Sequence, residues 1–214
     1  MVLITFERTH NYALVRTVMT HPRIWPHISD DGSPAASDYR APEGEHIWYV
    51  LARDAGELLG LWVFHPQNAI CWEAHTCVLP HAWGDVGLEA ARLLPAWMWE
   101  HTPCRRIVTN IPATNRLALH FAINAGMHSF GVNSASYLKD GQLWDQVCLG
   151  ISPPEIQAET LARREAETGS GAIVAGGLDV AAHAPASPGE RDTGAEMRQR
   201  RSSDRYALDH VLEQ

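Results

Sequence analysis

Basic residues are scarce in this sequence: 17 lysines and arginines stand against 25 aspartates and glutamates, for a formal net charge of -8 at pH 7. A surface that neutralises nucleic-acid phosphates needs basic side chains clustered on one face, so no nucleic-acid partner is expected. No apolar run approaches the roughly 20 residues of a membrane span, and residues 1–7 lack the basic region, apolar run and small-residue site of a secretory signal. A soluble, cytoplasmic protein with no membrane partner is expected. There are four cysteines, Cys71, Cys77, Cys104 and Cys148. They include no C-x-x-C pair, and two lie in core-like strands, which predicts reduced thiols and no structural disulfide. Histidines number 12, yet neither H-E-x-x-H nor a clustered Cys/His spacing occurs, so no metal site is expected.

A length of 214 residues suits one domain with an appendage. The composition changes after Ser152, which predicts a domain over residues 1–152 and a low-complexity tail over 153–214. Pro153-Pro154 closes the domain, residues 155–167 read as a solvated helix, and residues 168–194 are rich in Gly, Ala, Ser and Pro with little to bury. All 8 tryptophans precede that point. The last stretch, residues 196–214, carries Tyr206, Leu208, Val211 and Leu212, enough for a short amphipathic helix on a protein partner within an otherwise disordered tail.

Residues 2–7 alternate as an opening strand, and Tyr12, Val15 and Met19 follow at helical spacing. Residues 20–44, with Pro22, Pro26, Pro34 and Pro42, predict a long ordered loop or short helix of the kind that walls a substrate site. Residues 46–53 and 57–64 read as a β-hairpin, and a third strand follows at 70–79. The helix over 88–101 carries Leu88, Ala91, Leu94, Trp97 and Met98 at spacings of three and four. Its Pro95 predicts a kink or two shorter pieces, because an interior proline costs about 3 kcal/mol. A strand at 105–111, a helix begun by Thr114 or Asn115 and ended at Gly126, and a hairpin of 130–138 with 143–150 through Asp140-Gly141 complete the domain.

The strand at 70–79 and the turn after it carry the chemistry. Period-two alternation puts Ile70, Trp72, Ala74, Thr76 and Val78 on one face and Cys71, Glu73, His75, Cys77 and Leu79 on the other. A glutamate and a histidine inside an apolar strand are costly to bury unless paired or reached from a cleft, which makes Glu73 and His75 candidate catalytic groups. Pro80 ends the strand, Gly84 and Gly87 permit unusual backbone conformations, and a helix begins. A strand, a glycine-bearing turn and a helix start present unpaired amides and a dipole to an anion such as pyrophosphate.

The order strand, helix, three-strand meander, helix, strand, helix, strand pair resembles the GNAT acetyltransferase superfamily over residues 47–150. Pro80, Trp83, Gly84, Glu89 and Ala90 look like the P-x-x-W-G followed by E-A of its ribosomal-protein-acetylating branch. Thr114-Asn115, Ala118 and Ala125-Gly126-Met127 look like the family's asparagine-led helix and its end, and Lys139-Asp140-Gly141 before Asp145 looks like that branch's final hairpin. The segments from His21-Pro22-Arg23 to Asp31 and at Cys104-Arg105-Arg106 look like GNAT-like proteins of tailed bacteriophages, some of them virion components, which implies a place in the host cytoplasm or the virion.

The resemblance implies a mixed, mostly antiparallel sheet flanked by helices, with acetyl-CoA as co-substrate and no metal. It implies an amine-bearing small molecule or protein as acceptor. Cys77 and Val78 then lie along the pantetheine arm, Trp83, Gly84, Asp85, Val86, Gly87 and Leu88 form the pyrophosphate turn, and Asn115 completes the cofactor site. Glu73 falls where many members carry the base that deprotonates the amine, and His75 shares its face. A base is needed because an alkyl ammonium has a pKa of about 10. The sequence also departs from the family. Asp85 and Val86 stand where basic residues, glutamine or glycine are usual, and Asp85 repels a pyrophosphate. Ala122 replaces the tyrosine that protonates the leaving thiolate, leaving Tyr137 on the next strand as the candidate acid. These departures support a second reading, a GNAT-fold protein without catalysis that serves in binding or assembly.

Overall fold

A computed structural model describes residues 3–169. The chain divides into two units, Met1–Arg163 and Arg164–Gln214. Only the end of one helix is described for the second, and the segment expected to form a tail helix around Tyr206 and Leu212 lies outside the described residues.

The strands are β1 (Ile4–Thr9), β2 (Trp48–Asp54), β3 (Glu57–Pro66), β4 (Cys71–Val78), β5 (Arg106–Pro112), β6 (His128–Lys139) and β7 (Gln142–Ile151). The helices are α1 (Tyr12–Met19), α2 (Trp25–Ile28), α3 (Asp85–His101), α4 (Arg116–Asn124) and α5 (Pro154–Gly169). One seven-stranded sheet runs in the order β1-β2-β3-β4-β5-β7-β6. Every neighbouring pair is antiparallel except β4 with β5. The expected element order, mixed sheet and flanking helices are all present, and α5 covers the solvated helix predicted after Ser152.

β2 and β3 are buried on both faces, so their residues alternate between two cores rather than between core and water. Val50, Trp62, Phe64, Trp72 and Ala74 pack with Ala90, Ala91, Leu94 and Met98 of α3. Tyr49, Leu51, Leu61, Val63 and Cys77 pack on the other side with Val15 and Val18 of α1. Each fully buried Leu, Phe or Met contributes about 1.5–3 kcal/mol.

The structure corrects the reading of α3. The helix starts at Asp85, three residues before Leu88, and runs through Pro95 to His101 as one element. Leu94, Pro95 and Met98 are buried in its packed face, and that tertiary contact offsets the hydrogen bond the proline removes. Gly87 also has a different role from the one expected. It is helical and buried, and a Cβ there would collide with the Ala82 carbonyl and lie 2.9 Å from Cγ1 of Val78. The missing side chain lets the first turn of α3 rest directly on the end of β4.

Residues 20–44 form the expected ordered loop, with α2 inside it. Arg16 donates to the carbonyls of Tyr39 at 3.0 Å and Ser37 at 2.8 Å. The middle of the loop is tied to the β6–β7 hairpin, whose turn residues Asp140 and Gly141 both have positive φ, 53° and 72°. That is the backbone an Asp-Gly hairpin turn requires. Their amides donate to the Asp31 carboxylate at 2.8 and 2.7 Å, and these bonds, Gly141's first, hold its pKa below the ordinary 3.8. Lys139, the only lysine in the sequence, donates to the Ser29 carbonyl at 2.8 Å.

Gly87→Ala should destabilise the protein by about 1–3 kcal/mol, the usual penalty for overpacking. Urea unfolding monitored by tryptophan fluorescence would measure it; a variant within 0.5 kcal/mol of wild type, the usual range for a surface change, would mean that α3 can back away from β4.

Candidate active site

β4 and β5 pair at only three positions, Cys71↔Arg106, Trp72↔Ile107 and Glu73↔Val108. Beyond Glu73 the strands part, although β4 continues to Val78 and β5 to Pro112. On its other edge β4 stays paired with β3 as far as Gly60↔Val78. The amide of Leu79 donates to the Leu59 carbonyl. Antiparallel pairing alternates, so residues 73, 75 and 77 turn their backbone groups to β3, and residues 74, 76 and 78 turn theirs into the gap. The Val78 carbonyl in that gap accepts a hydrogen bond from Nε1 of Trp83 at 2.9 Å.

The start of α3 adjoins this edge. Gly84, its N-cap, has φ 107° and ψ -143°, a conformation restricted in practice to glycine. No side chain caps the helix, so its first amides remain available as donors. Asp85, Val86, Leu88, Glu89 and Arg92 line an open groove of about 460 Å³. The guanidinium of Arg23, from the loop before α2, lies 4.3 Å from the Trp83 ring centroid, which sets a cation beside the turn that bears Asp85.

Glu73 stands where the strands separate. Its Oε1 accepts from Nδ2 of Asn110 on β5 at 3.1 Å, and its Oε2 accepts from Nε2 of Gln67 at 2.9 Å. The Asn110 carbonyl in turn accepts from Nε2 of Gln146 at 3.3 Å. Nε2 of His65 is 3.9 Å from Oε2, with the Glu73 side chain 15% exposed. His65 lies directly opposite Glu73 on β3, and its Nε2 is 3.3 Å from Nε2 of His75. Water reaches His75, but the protein crowded around the imidazole still disfavours its cation. Desolvation pushes the His75 pKa below 6.5, Glu73 pulls it up, and His65 pushes it down.

No family model matches the sequence, and no curated protein matches it. Solved structures do match the fold. A spermidine N-acetyltransferase from Vibrio cholerae in complex with CoA and spermine is 13% identical with a TM-score of 0.57, over 70% of this chain and 95% of that one. A GNAT-family acetyltransferase from Streptococcus pneumoniae is 15% identical with a TM-score of 0.51, over 71% and 100%. A ribosomal-protein-alanine N-acetyltransferase from Brucella melitensis is 14% identical with a TM-score of 0.50, over 71% and 99%. The chain has the GNAT fold.

Within that fold the expected site residues divide. Glu73 and His75 share the cleft face, while Trp83, Gly84 and Asp85 meet at the helix start. Val86 and Leu88 line the groove and also pack on the core. Cys77 does not join them: its side chain is 1% exposed in the α1-side core, and burial raises its thiol pKa to about 12. Asn115 is engaged as the cap of α4, its Oδ1 accepting from the Ala118 amide at 3.2 Å. Tyr137 donates its hydroxyl to the Ser29 carbonyl at 2.7 Å, and desolvation, followed by Asp30, Asp31 and Asp140, raises its pKa. Two strands stand between β6 and β4.

Sequence reasoning passed over His65, Gln67, Asn110, Arg23 and Arg92. The hairpin register pairing residue 65 with 73 offered a signal for His65. Arg23 and Asn110 carried none, because they reach the site through a loop path and a strand divergence that no local spacing encodes.

With a chelator present, His75 should titrate below 6.5 by NMR of its ring protons, and Glu73→Gln should lower the midpoint further by removing the carboxylate that favours the cation. Between the lowered midpoint and 6.5 the unfolded chain binds the extra proton, so this histidine costs stability as pH falls through that window. A midpoint above 6.5 would contradict the desolvated environment.

Proposed function

We propose that this protein is an N-acyltransferase that moves an acetyl group from acetyl-CoA directly to a primary amine, with Glu73 as general base. The observation that carries the reading is the parting of β4 from β5 at Glu73, beside a helix start with no side-chain cap. The residues fit an extended, amide-bearing anionic ligand. The edge of β4 at 74–78 offers strand-like hydrogen bonds, and the first turn of α3 offers amides and a positive dipole end to phosphates. Arg23, held against the Trp83 ring, places a cation at the turn that leads into Asp85. Acetyl-CoA supplies the activated thioester.

The chain's own task is then to deliver an uncharged amine. Two amide donors, from Gln67 and Asn110, fix the Glu73 carboxylate in the cleft wall while leaving lone pairs to accept a proton from the ammonium. His65 and His75 lead away from Oε2 toward solvent and give the proton an exit. Tyr137, committed to Ser29, has no part in this scheme. The acceptor class is an amine-bearing small molecule or protein, in keeping with the spermidine and ribosomal-protein-alanine enzymes that share the fold.

A second reading, a catalytically silent binding or assembly protein of the same fold, is favoured by Asp85 in the first turn of α3 and by the alanine at position 122, buried within α4. The resemblance to phage-encoded proteins belongs with it.

Glu73→Gln should reduce acetyl transfer by about 10²–10⁴-fold, the usual contribution of a general base, with CoA affinity held within about twofold. Unchanged turnover would remove Glu73 from the mechanism. Calorimetric titration of CoA into wild type and Asp85→Arg separates the two readings: wild-type binding supports the enzyme, and binding gained only in the variant supports the silent protein.

A further inference from the structure

The cleft face of β3 and β4 gathers three metal-ligating side chains from two strands. His65 and Glu73 are a direct cross-strand pair, and His75 follows Glu73 by two residues, so the pleat turns all three to one face. One donor atom from each lies within 4.8 Å of the others. The two Nε2 atoms are 3.3 Å apart, whereas the ring centroids are 5.4 Å apart, so the imidazoles face one another through their nitrogen edges. We propose that His65, Glu73 and His75 form a binding site for a divalent first-row transition metal of the zinc class.

The spacing carries the argument. A tetrahedral zinc with Zn–N bonds of about 2.0–2.1 Å holds two nitrogen ligands roughly 3.3–3.4 Å apart. The observed 3.3 Å between the histidine nitrogens matches that separation, and turning the two rings so that both lone pairs converge on one point would complete the pair of nitrogen ligands. Oε2 of Glu73 lies 3.9 Å from Nε2 of His65 and is the third donor of the group. Two imidazoles and one carboxylate select zinc, cobalt or nickel over calcium and magnesium, which prefer all-oxygen sites. The supporting shell is in place as well: Gln67 and Asn110 already orient the carboxylate, as the outer partners of a metal-bound carboxylate do.

Three protein ligands leave the fourth position open toward the cleft, as in metal sites that exchange a ligand with solvent. In the metal-free protein an Nε2 proton can be shared between the histidines; in the metal-bound form both rings carry their protons on Nδ1 and turn Nε2 lone pairs to the ion. A bound ion occupies the carboxylate proposed as the base, so zinc inhibits acetyl transfer. This consequence alone rests on the acyltransferase reading. No short local motif marks the site, because its ligands are joined by a hairpin register.

The test uses the full chain after removal of metals with a chelator. Co²⁺ is titrated in while its visible absorption is followed, and Zn²⁺ is titrated by calorimetry. Wild type, His65→Ala, His75→Ala and the better side-chain mimics His65→Gln and His75→Gln are compared, with circular dichroism confirming that each is folded. The expected result is one site that weakens at least tenfold in every folded histidine variant, with the absorption of tetrahedral Co²⁺ in wild type. Equal binding by wild type and the histidine variants would place the metal on other side chains and overturn the proposal, as would absence of binding by wild type at millimolar metal. Where transfer activity is found, zinc should inhibit wild type at least tenfold more strongly than His65→Gln, and equal inhibition overturns the regulatory consequence. Metal binding by a protein that does not bind CoA would count against the acyltransferase reading and leave the metal site standing.

Discussion

Parallel pairing between β4 and β5 stops after three residues, and the chemistry of the cleft follows from that stop. In a sheet whose other neighbours pair antiparallel, this junction exposes strand edges in the middle of the fold instead of at its rim. A backbone amide or carbonyl left without a partner away from water costs about 1–3 kcal/mol, so such an edge must be solvated, covered by side chains or filled by a ligand. The chain covers part of it. Trp83 takes the Val78 carbonyl, and the Asn110 side chain reaches across to Glu73 just where backbone pairing ends. The remaining edge, at residues 74–78, opens into the cleft.

The two cores hold the gap in shape. α3 packs its small and apolar residues, Ala90, Ala91, Leu94 and Met98, on one face of the sheet, and α1 packs Val15 and Val18 on the other. β4 is therefore fixed from both faces and from its β3 edge, and the one direction left free is toward β5. Gly87 brings the start of α3 against the end of β4, which sets the helix amides next to the exposed strand edge. The loop of residues 20–44, anchored at Tyr39 by Arg16 and at its middle by Asp31 to the β6–β7 turn, presents Arg23 to Trp83. Distant parts of the sequence thus converge on the junction after β4.

Much of the fold was legible because its signals are local. Period-two alternation located β4, the Asp140-Gly141 pair located the final hairpin, and Thr114-Asn115 announced the start of α4, with Asn115 the cap. The course of α3 was less legible: Pro95 argues locally for a break, and burial on both sides of it overrides that preference. The site was legible in part. Glu73 stood out as a carboxylate in an apolar strand, but period two alone could not tell an open cleft face from a buried one, so Cys77 was grouped with Glu73 although it sits in the α1-side core. Gly87 was read as a flexible turn residue, since a sequence does not distinguish a glycine needed for its φ from one needed for its lack of a Cβ. Asn110, Gln67 and Arg23 depend on register, strand divergence and loop path, which are properties of the assembled sheet.

The central claim is that the opening between β4 and β5, together with the first turn of α3, receives acetyl-CoA. Hydrogen–deuterium exchange with and without saturating acetyl-CoA tests it directly. The account predicts slowed exchange at the gap-facing amides of residues 74, 76 and 78 and at residues 85–88, with little change in β6. Unchanged exchange over both segments, or protection confined to another part of the sheet, would contradict it.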